Sequence, residues 1–288
     1  MVLSFLIAVA SFLSQADVPA KYVKPAPKPA DVVAKVDGVE IKASDVEDML
    51  WQWRGHEALA DLISYQVIKN AAAKEQVNVT EAEVQKALDD QLAQLTPEAR
   101  QGKSLEQYLM EQGFTVSRLW IRIKTELLLN KIAAKDFKPA EYVKVSTIVV
   151  RPESTSTKAL TDAAKKADLF YDMLSKGDGW DKVLNMSTVD PRTLESKGLV
   201  GWRRIDAFPK LVQDEFKTLK TGGLTKPTQT SNGFQIFKVD LFGKVAKGKE
   251  LTDAESIHIN SNKNAVANKI RAASKIEKFP QNSGPSGS

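Results

Sequence analysis

The fold of this chain is decided by the stretch from Asp190 to Val239, DPRTLESKGLVGWRRIDAFPKLVQDEFKTLKTGGLTKPTQTSNGFQIFKV. A Gly-Leu-Val-Gly-Trp segment at residues 198–202 predicts a short strand. Apolar residues at helical spacing predict a helix over residues 209–219. Residues 224–230 and 234–241 predict two further strands, because the Ser-Asn-Gly between them is a hairpin turn signal. The stretch therefore predicts a strand, a helix and a β-hairpin, in that order.

The residues before this stretch belong to the same predicted unit. Tyr142 to Arg151, YVKVSTIVVR, is rich in β-branched residues and predicts a strand. Residues 160–176 have an amphipathic helical pattern that ends at a Gly-Asp-Gly sequence, and residues 180–186 predict a short helix. The predicted order is β-α-α-β-α-β-β, which indicates a mixed α+β domain over residues 140–244.

The N-terminal part of the chain predicts a separate helical domain over residues 33–137. It opens with a β-hairpin, because Asp37-Gly38 lies between alternating apolar residues. Residues 57–75 and 116–134 have helical periodicity. Capping boxes predict three further helix starts at Ser44, Thr80 and Ser104. Core positions are expected for the tryptophans Trp51, Trp53, Trp120 and Trp202. The alternative for the first three is that a partly exposed subset lines a groove that binds other polypeptides.

The stretch from Asp190 to Val239 resembles the second half of a parvulin-type peptidyl-prolyl isomerase domain. The residues that agree in order and spacing are Asp190-Pro191, Gly198, Gly201-Trp202, Pro209, Phe216, Gly233 and Ile236-Phe237-Lys238-Val239. The resemblance implies a four-stranded antiparallel sheet with surrounding helices. It also implies an activity that rotates X-Pro peptide bonds against a barrier of roughly 20 kcal/mol, without a covalent step.

The N-terminal part resembles the chaperone region of SurA- and PrsA-type foldases. Its counterparts are Val36 to Ile41, Leu62-Ile63 through Ala71, Val77-Asn78-Val79 with Glu83-Val84, and Leu109 to Gly113. In those foldases a C-terminal helix returns to the N-terminal domain and completes it. The resemblance implies the same for residues 250–278, and a free charged tail is the alternative.

The parvulin resemblance also implies a functional site in which both histidines of the family are replaced. Thr147 and Gln235 occupy the two histidine positions, and Asp190 occupies the acidic position. The positions implied to contact substrate are Ala207, Leu211 or its neighbour Phe208, Thr230 and Phe234. Thr and Gln can hydrogen-bond across the same gap, but neither carries an imidazole. The resemblance therefore predicts weak or absent isomerase activity.

A second interpretation of Asp190 is structural, because an Asp-Pro pair often forms a turn before a loop. The two histidines of the chain, His56 and His258, lie outside the parvulin-like domain. We expect both to be surface or helix-face residues rather than catalysts or ligands.

The composition excludes several classes of function. The chain has 288 residues, 42% hydrophobic and 27% charged, with a net charge of +5 and no cysteine. The lack of cysteine excludes thiol catalysis, disulfides and Cys-based metal sites. The basic residues are scattered, which does not favour nucleic-acid binding, and the sequence holds no phosphate-binding Gly-rich loop. We expect no cofactor and no metal, and the expected partners are unfolded or partly folded polypeptides with X-Pro bonds.

The first sixteen residues, MVLSFLIAVASFLSQA, predict a secretory signal peptide that is cleaved after Ala16. An apolar helix packed on the core is the alternative. Residues 17–32 are rich in Pro and Lys and predict a linker, and residues 279–288 predict a disordered tail. The expected location is extracytoplasmic, in the periplasm or outside the cell, with no membrane span after cleavage.

Two functions stay open at this point. The first is an extracytoplasmic folding factor that assists secreted or envelope proteins and has weak isomerase activity. The second is a catalytically inactive chaperone or adaptor that only binds unfolded polypeptide. The sequence decides neither whether the chain is an enzyme nor its oligomeric state.

Overall fold

The computed structural model describes residues 17–23, 25–188 and 190–279. The chain divides into two compact units, one with the residues up to 133 and from 263 onward, the other with residues 134–262. The first unit is largely helical, and the second contains a sheet with surrounding helices, so the expected α+β class is confirmed. The predicted signal peptide and residues 280–288 of the predicted tail lie outside the described residues.

The first unit begins with a β-hairpin and continues with helices. The strands are β1 (Val32–Val36) and β2 (Val39–Lys42), and they are antiparallel. The turn between them is Asp37-Gly38, as predicted. The helices are α1 (Ala43–Lys74), α2 (Glu81–Ala93), α3 (Leu105–Glu111) and α4 (Val116–Ala134).

The helix starts follow the sequence signals in two cases out of three. Thr80 and Ser104 cap α2 and α3 with complete capping boxes, as predicted. The predicted start at Ser44 is wrong, because α1 begins one residue earlier and Asp45 accepts a hydrogen bond from Lys42 N at 2.8 Å. Helix α1 is also continuous where two helices were predicted. Gly55 lies at that point, and one interior glycine costs only about 1 kcal/mol, too little to end a helix.

The core of the first unit surrounds Trp120, whose side chain is 1% exposed and packs with the buried Tyr65 and Leu88. The core prediction for Trp120 is confirmed. The same prediction is wrong for Trp51 and Trp53, which are 53% and 65% exposed. Helical spacing places apolar residues on a common face, but it does not reveal whether another element covers that face.

Residues 17–23, which composition assigned to a linker, pack onto this core. Val18 and Tyr22 contact the core cluster, and the Tyr22 ring centroid lies 5.7 Å from that of Trp120. The Trp120 indole Nε1 donates a hydrogen bond to Asp17 O at 2.8 Å. A proline-rich composition therefore did not prevent this part of the chain from docking.

Asp17 holds the docked segment through its carboxylate. Lys69 and Lys124 donate to the two carboxylate oxygens at 2.7 and 2.9 Å. Burial opposes ionisation of Asp17, but the hydrogen bonds from both lysines outweigh it and lower the pKa to about 2. Asp17 is therefore ionised at neutral pH.

The second unit contains the predicted sheet. Its strands are β3 (Tyr142–Val150), β4 (Leu199–Arg204), β5 (Thr228–Thr230) and β6 (Gly233–Phe242). Their order is β4-β3-β6-β5 and all neighbours are antiparallel, which confirms the four-stranded antiparallel sheet. Strand β5 is shorter than the predicted residues 224–230, because Leu224 forms only an isolated bridge with Lys238 and does not belong to the strand.

Helices cover both faces of this sheet. They are α5 (Thr157–Ser175), α6 (Trp180–Ser187), α7 (Pro191–Glu195), α8 (Lys210–Phe216) and α9 (Gly248–Ala272). The buried cluster on the α8 face consists of Val143, Val145, Phe208, Val212, Phe216, Phe237, Val239 and Phe242. The buried cluster on the α5 and α6 face consists of Ile148, Val150, Ala163, Ala167, Phe170, Val183, Leu184 and Ile236. Strand β3 reads as a nearly continuous apolar run because it is buried on both faces.

Helix α9 begins at Gly248. His258 is a helix-face residue, as expected, but it is only 5% exposed, and its Nδ1 lies 2.7 Å from Tyr142 Oη. Trp202 is 4% exposed and belongs with Tyr142 to one buried cluster, which confirms its core prediction. Residues from 263 onward group with the first unit, where Ile270 packs against the core around Trp120.

Candidate functional site

The two positions expected to carry histidine in the family lie side by side in the sheet. Thr147 is on β3 and Gln235 on β6, and the register pairs Thr147 with Phe237 and Val149 with Gln235. Cross-strand partners and alternate residues share one face of an antiparallel sheet. Thr147, Gln235 and Phe237 therefore all point to the α8 face.

Gln235 connects three strands through its side chain. It is 9% exposed, its Nε2 donates to Thr147 Oγ1 at 3.4 Å, and its Oε1 accepts from Thr230 Oγ1 at 2.8 Å. Thr147 Oγ1 donates to Ile236 O at 3.2 Å. The structure therefore brings three predicted site residues into one hydrogen-bonded group, Thr147, Gln235 and Thr230, which we call the Thr-Gln-Thr row.

An aromatic cluster lies beside the row. The Phe208 ring packs edge-on against Phe237, the strand partner of Thr147, at a centroid distance of 5.2 Å, and against Phe216 at 5.1 Å. Gln213 Nε2 donates to Phe208 O at 2.7 Å and holds the backbone there. Leu211 is 71% exposed. Of the two candidates for the aromatic position of the site, Phe208 is therefore the one that packs beside the row.

Two other predicted site residues lie apart from the row. Ala207 is exposed at the end of a short 3-10 helix, residues 205–207. Phe234 alternates with Gln235 along β6 and packs against the cluster around Ile148 on the opposite face of the sheet. The structure does not bring Phe234 to the α8 face.

Asp190 caps a helix. It is the residue before α7, and its carboxylate accepts hydrogen bonds from Thr193 N at 3.1 Å and from Thr193 Oγ1 at 2.5 Å. These two bonds hold the pKa of Asp190 below its ordinary value. The geometry gives the carboxylate a partner in Thr193 rather than in Thr147 or Gln235, which favours the turn-forming interpretation.

Gly198 sets the backbone position of Thr147. Thr147 N donates to Gly198 O at 2.8 Å, and a Cβ on Gly198 would lie 2.4 Å from Thr147 O. The φ of Gly198 is +72°, a region that side-chain-bearing residues rarely adopt. Sequence reasoning found Gly198 only as part of a motif, and it did not single out Phe237. Strict alternation from Gln235 was the signal that could have found Phe237.

The row is a neutral site. Its donors and acceptors are hydroxyls and one amide, and the two histidines of the sequence are on α1 and α9. Across the described ranges, no group of three or more His, Cys, Asp or Glu side chains is placed to hold a metal ion. Such a site can hold a substrate carbonyl or amide by hydrogen bonds, and the Phe208 cluster provides apolar contact area.

A comparison with known protein families identifies the type of domain that contains the row. Residues 148–241 match the family model described as "Rotamase: PPIC-type PPIASE domain". This part of the chain is therefore a PPIC-type parvulin domain.

The chain is also similar to individual proteins. The chain is 28% identical to chaperone SurA of Saccharophagus degradans over 46% of its own length and 31% of that protein. It is 21% identical to chaperone SurA of Salmonella choleraesuis over 78% of its own length and 57% of that protein. It therefore spans less than two thirds of these relatives. The crystal structure of the peptidylprolyl isomerase PrsA from Bacillus cereus is matched over 88% of this chain and 96% of that chain, at 18% identity and a TM-score of 0.41.

Proposed function

We propose that this chain is an extracytoplasmic folding factor whose parvulin domain binds X-Pro segments of unfolded polypeptides and isomerises them weakly. The observation that carries the proposal is the Thr-Gln-Thr row beside the buried Phe208 cluster. Thr147 and Gln235 of this row are the two positions for which the resemblance implies histidine in the family. The SurA and PrsA relatives support the assignment to protein folding.

The row supplies hydrogen bonds but no imidazole. Isomerisation requires the amide to pass through a twisted state that lies roughly 20 kcal/mol above the planar one. Gln235 Nε2 uses one hydrogen on Thr147, and its second hydrogen can bind a substrate carbonyl. Because the row carries no imidazole, we expect activity below that of a histidine-bearing parvulin.

The direct test restores the histidines. Isomerisation of a short X-Pro peptide would be followed by NMR exchange for the wild type and for the double variant Thr147→His/Gln235→His. A higher rate in the double variant, with unchanged stability, is the expected result. A wild-type rate equal to that of a histidine-bearing parvulin would overturn the proposal of weak activity.

Asp190 requires a matched pair of variants, because its carboxylate also caps α7. Asp190→Asn keeps a capping side chain and removes the charge, whereas Asp190→Ala removes both. If Asp190 acts only as a cap, Asp190→Asn retains the wild-type rate of isomerisation. Loss of activity in Asp190→Asn would show that the charge takes part.

The second candidate function is the binding of unfolded polypeptide by a parvulin fold without catalysis. The lack of an imidazole at the row favours it. A client aggregation assay separates the two functions. No isomerisation together with suppressed aggregation would establish a binding protein. Inactivity in both assays would leave the adaptor role.

The proposed extracytoplasmic location rests on the apolar N-terminal residues 1–16 and on Ser14 and Ala16 as small residues before a cleavage site. No helix among the described residues is both long and apolar enough to cross a membrane. Intact mass measurement of the protein from its native host tests the location. A mature chain that begins at Asp17 is expected, and a retained Met1 in an intracellular fraction would contradict it.

A further inference from the structure

The first unit has a charged cavity between the middle of α1 and the start of α4. Arg54, Glu57 and Asp61 follow the i, i+3, i+7 spacing along one face of α1, and Arg118 and Arg122 lie one turn apart on α4. All five residues line the cavity, whose volume is about 390 Å³. They belong to the first unit, so this cavity is not part of the Thr-Gln-Thr row.

Two carboxylates hold the three guanidinium groups of the cavity in place. Asp61 accepts from Arg118 Nε at 2.7 Å and from Arg122 Nη2 at 3.0 Å. Glu57 accepts from Arg54 Nη1 at 2.9 Å and from Arg118 Nη1 at 3.2 Å. Burial opposes ionisation of Asp61, but the hydrogen bonds from Arg122 and Arg118 outweigh it and keep the pKa of Asp61 below its ordinary value. Three positive and two negative groups leave an excess of one positive charge.

The residues just before α4 fix two of these arginines further. The Phe114 ring centroid lies 5.1 Å from the guanidinium carbon of Arg118 and 5.1 Å from that of Arg122, which is within the range of cation–π contacts. Gly113 O accepts from Arg118 Nη1 at 3.0 Å. These side chains are held in place before a ligand arrives, and such preorganisation lowers the entropy cost of binding.

Each guanidinium group has one terminal nitrogen that donates no hydrogen bond to any of the described residues. These nitrogens are Nη2 of Arg54, Nη2 of Arg118 and Nη1 of Arg122. Guanidinium groups match the geometry of carboxylates and phosphates. A dianion is disfavoured here, because it would also face the carboxylates of Glu57 and Asp61. The cavity therefore favours a ligand with one negative charge.

An apolar cavity of about 360 Å³ adjoins the charged one. The two share Arg54, Glu57, Asp61, Gly113 and Arg118 in their walls. The further apolar residues that line the second cavity are Val18, Ala58, Leu62 and Ile121. A ligand that carries an apolar group next to its negative charge can therefore occupy both cavities at once.

We propose that the two cavities bind the C-terminal carboxylate of a polypeptide whose last side chain is apolar. The carboxylate accepts from the unused guanidinium N–H groups, and the last side chain packs beside Leu62 and Ile121. A polypeptide C-terminus fits because its single negative charge is attached to the same Cα as its last side chain. The inference rests on the proposed function, in which unfolded polypeptides are the ligands, but it concerns a site outside the parvulin domain.

The first measurement compares two forms of one peptide by isothermal titration calorimetry with the full chain. The peptide is short, N-acetylated and free of proline, ends in leucine, and is used as the free acid and as the C-terminal amide. The acid is expected to bind at least about tenfold more tightly, because a hydrogen bond to a charged group typically contributes this much. Equal affinities of the two forms would overturn the proposal.

Octanoate distinguishes the peptide from a second source of the same chemistry, since it also joins one carboxylate to an apolar chain. Octanoate that binds at the cavity while the acid peptide does not would assign the cavity to fatty acids and overturn the proposal. Weak competition by octanoate against a tightly bound acid peptide is the expected result.

Two charge variants are expected to act in opposite directions. Arg122→Gln removes an unused donor and a positive charge, and should weaken binding of the acid at least about tenfold without changing that of the amide. Glu57→Gln removes a carboxylate from the wall and should tighten binding of the acid. Arg271→Gln is the matched control, because Arg271 is exposed on α9 in the same unit and lines neither cavity. Circular dichroism checks that each variant is folded.

A variant in the apolar cavity tests the position of the last side chain. Leu62→Ala should weaken binding of the peptide that ends in leucine and leave unchanged a matched peptide that ends in glycine. Equal losses for the two peptides would contradict the placement of the last side chain beside Leu62.

The outcomes separate this inference from the proposed function. An Arg122→Gln variant that binds the acid as tightly as wild type would overturn the inference, whether or not the chain isomerises X-Pro bonds or suppresses aggregation. Acid-selective binding by a chain that does neither would support the carboxylate site and contradict the folding function.

Discussion

Strand β3 of the parvulin domain and the β1–β2 hairpin have similar sequences and opposite environments. Both are rich in valine and isoleucine, with YVKVSTIVV in β3 and VVAKV and VEIK in the hairpin. Ile148 on β3 is fully buried, whereas Ile41 on β2 is 37% exposed. The difference lies in what covers each strand. β3 has strands on both sides and helices on both faces, and the hairpin has neither within its own unit.

The comparison teaches that an apolar strand does not define its own environment. The residues that bury β3 come from α5, α6 and α8, which are distant in sequence. The hairpin has the same kind of side chains but is fixed by backbone bonds at its base alone.

The largest predicted effect contrasts the two isoleucines. Ile148→Ala removes a fully buried side chain and should lower the free energy of unfolding by about 2–5 kcal/mol. Ile41→Ala should lower it by less, because the Ile41 side chain is 37% exposed. Urea unfolding monitored by tryptophan fluorescence measures both. Equal losses would mean that the hairpin is buried in the single chain.

The next prediction contrasts two glycines with similar backbones. Gly198 and Gly38 have φ of +72° and +86°, so an alanine at either costs about 1–2 kcal/mol in backbone strain. A Cβ at Gly198 also lies 2.4 Å from Thr147 O, whereas a Cβ at Gly38 meets no atom within 4 Å. Gly198→Ala should therefore destabilise more than Gly38→Ala and shift the NMR signals of Thr147. Equal losses of stability in the two variants would show that β4 can move away from β3 and make room for the added Cβ.

The last prediction concerns the segment that docks on the core of the first unit. The pKa of Asp17 is lowered from 3.8 to about 2, so its ion pairs stabilise the fold fully above about pH 4 and lose this contribution as the pH falls toward 2. Wild type should exceed Asp17→Asn by on the order of 2 kcal/mol above pH 4. The two should converge near pH 2. Urea unfolding of both proteins across this pH range measures the difference in their free energies of unfolding. A difference that does not change with pH would contradict the ion-pair account.

Much of the candidate site could be predicted from sequence, because it depends on local order. Thr147, Gln235 and Thr230 were placed by motif position, and alternation along β6 puts Gln235 on the α8 face. The choice between Phe208 and Leu211 could not be made. It depends on how the turn before α8 meets Phe237, a contact between residues far apart in the chain.

By itself, the sequence determined the local structure of this protein. Helix caps at Thr80 and Ser104, the Asp37-Gly38 turn and the order of strands and helices along the parvulin domain follow from short-range patterns. Tertiary structure alone decided which apolar faces are covered. It buried His258 against Tyr142, docked Val18 and Tyr22 on Trp120, and left Trp51 and Trp53 exposed. The physical reason is that periodicity places side chains on a common face, while burial depends on a second element that arrives from elsewhere in the chain.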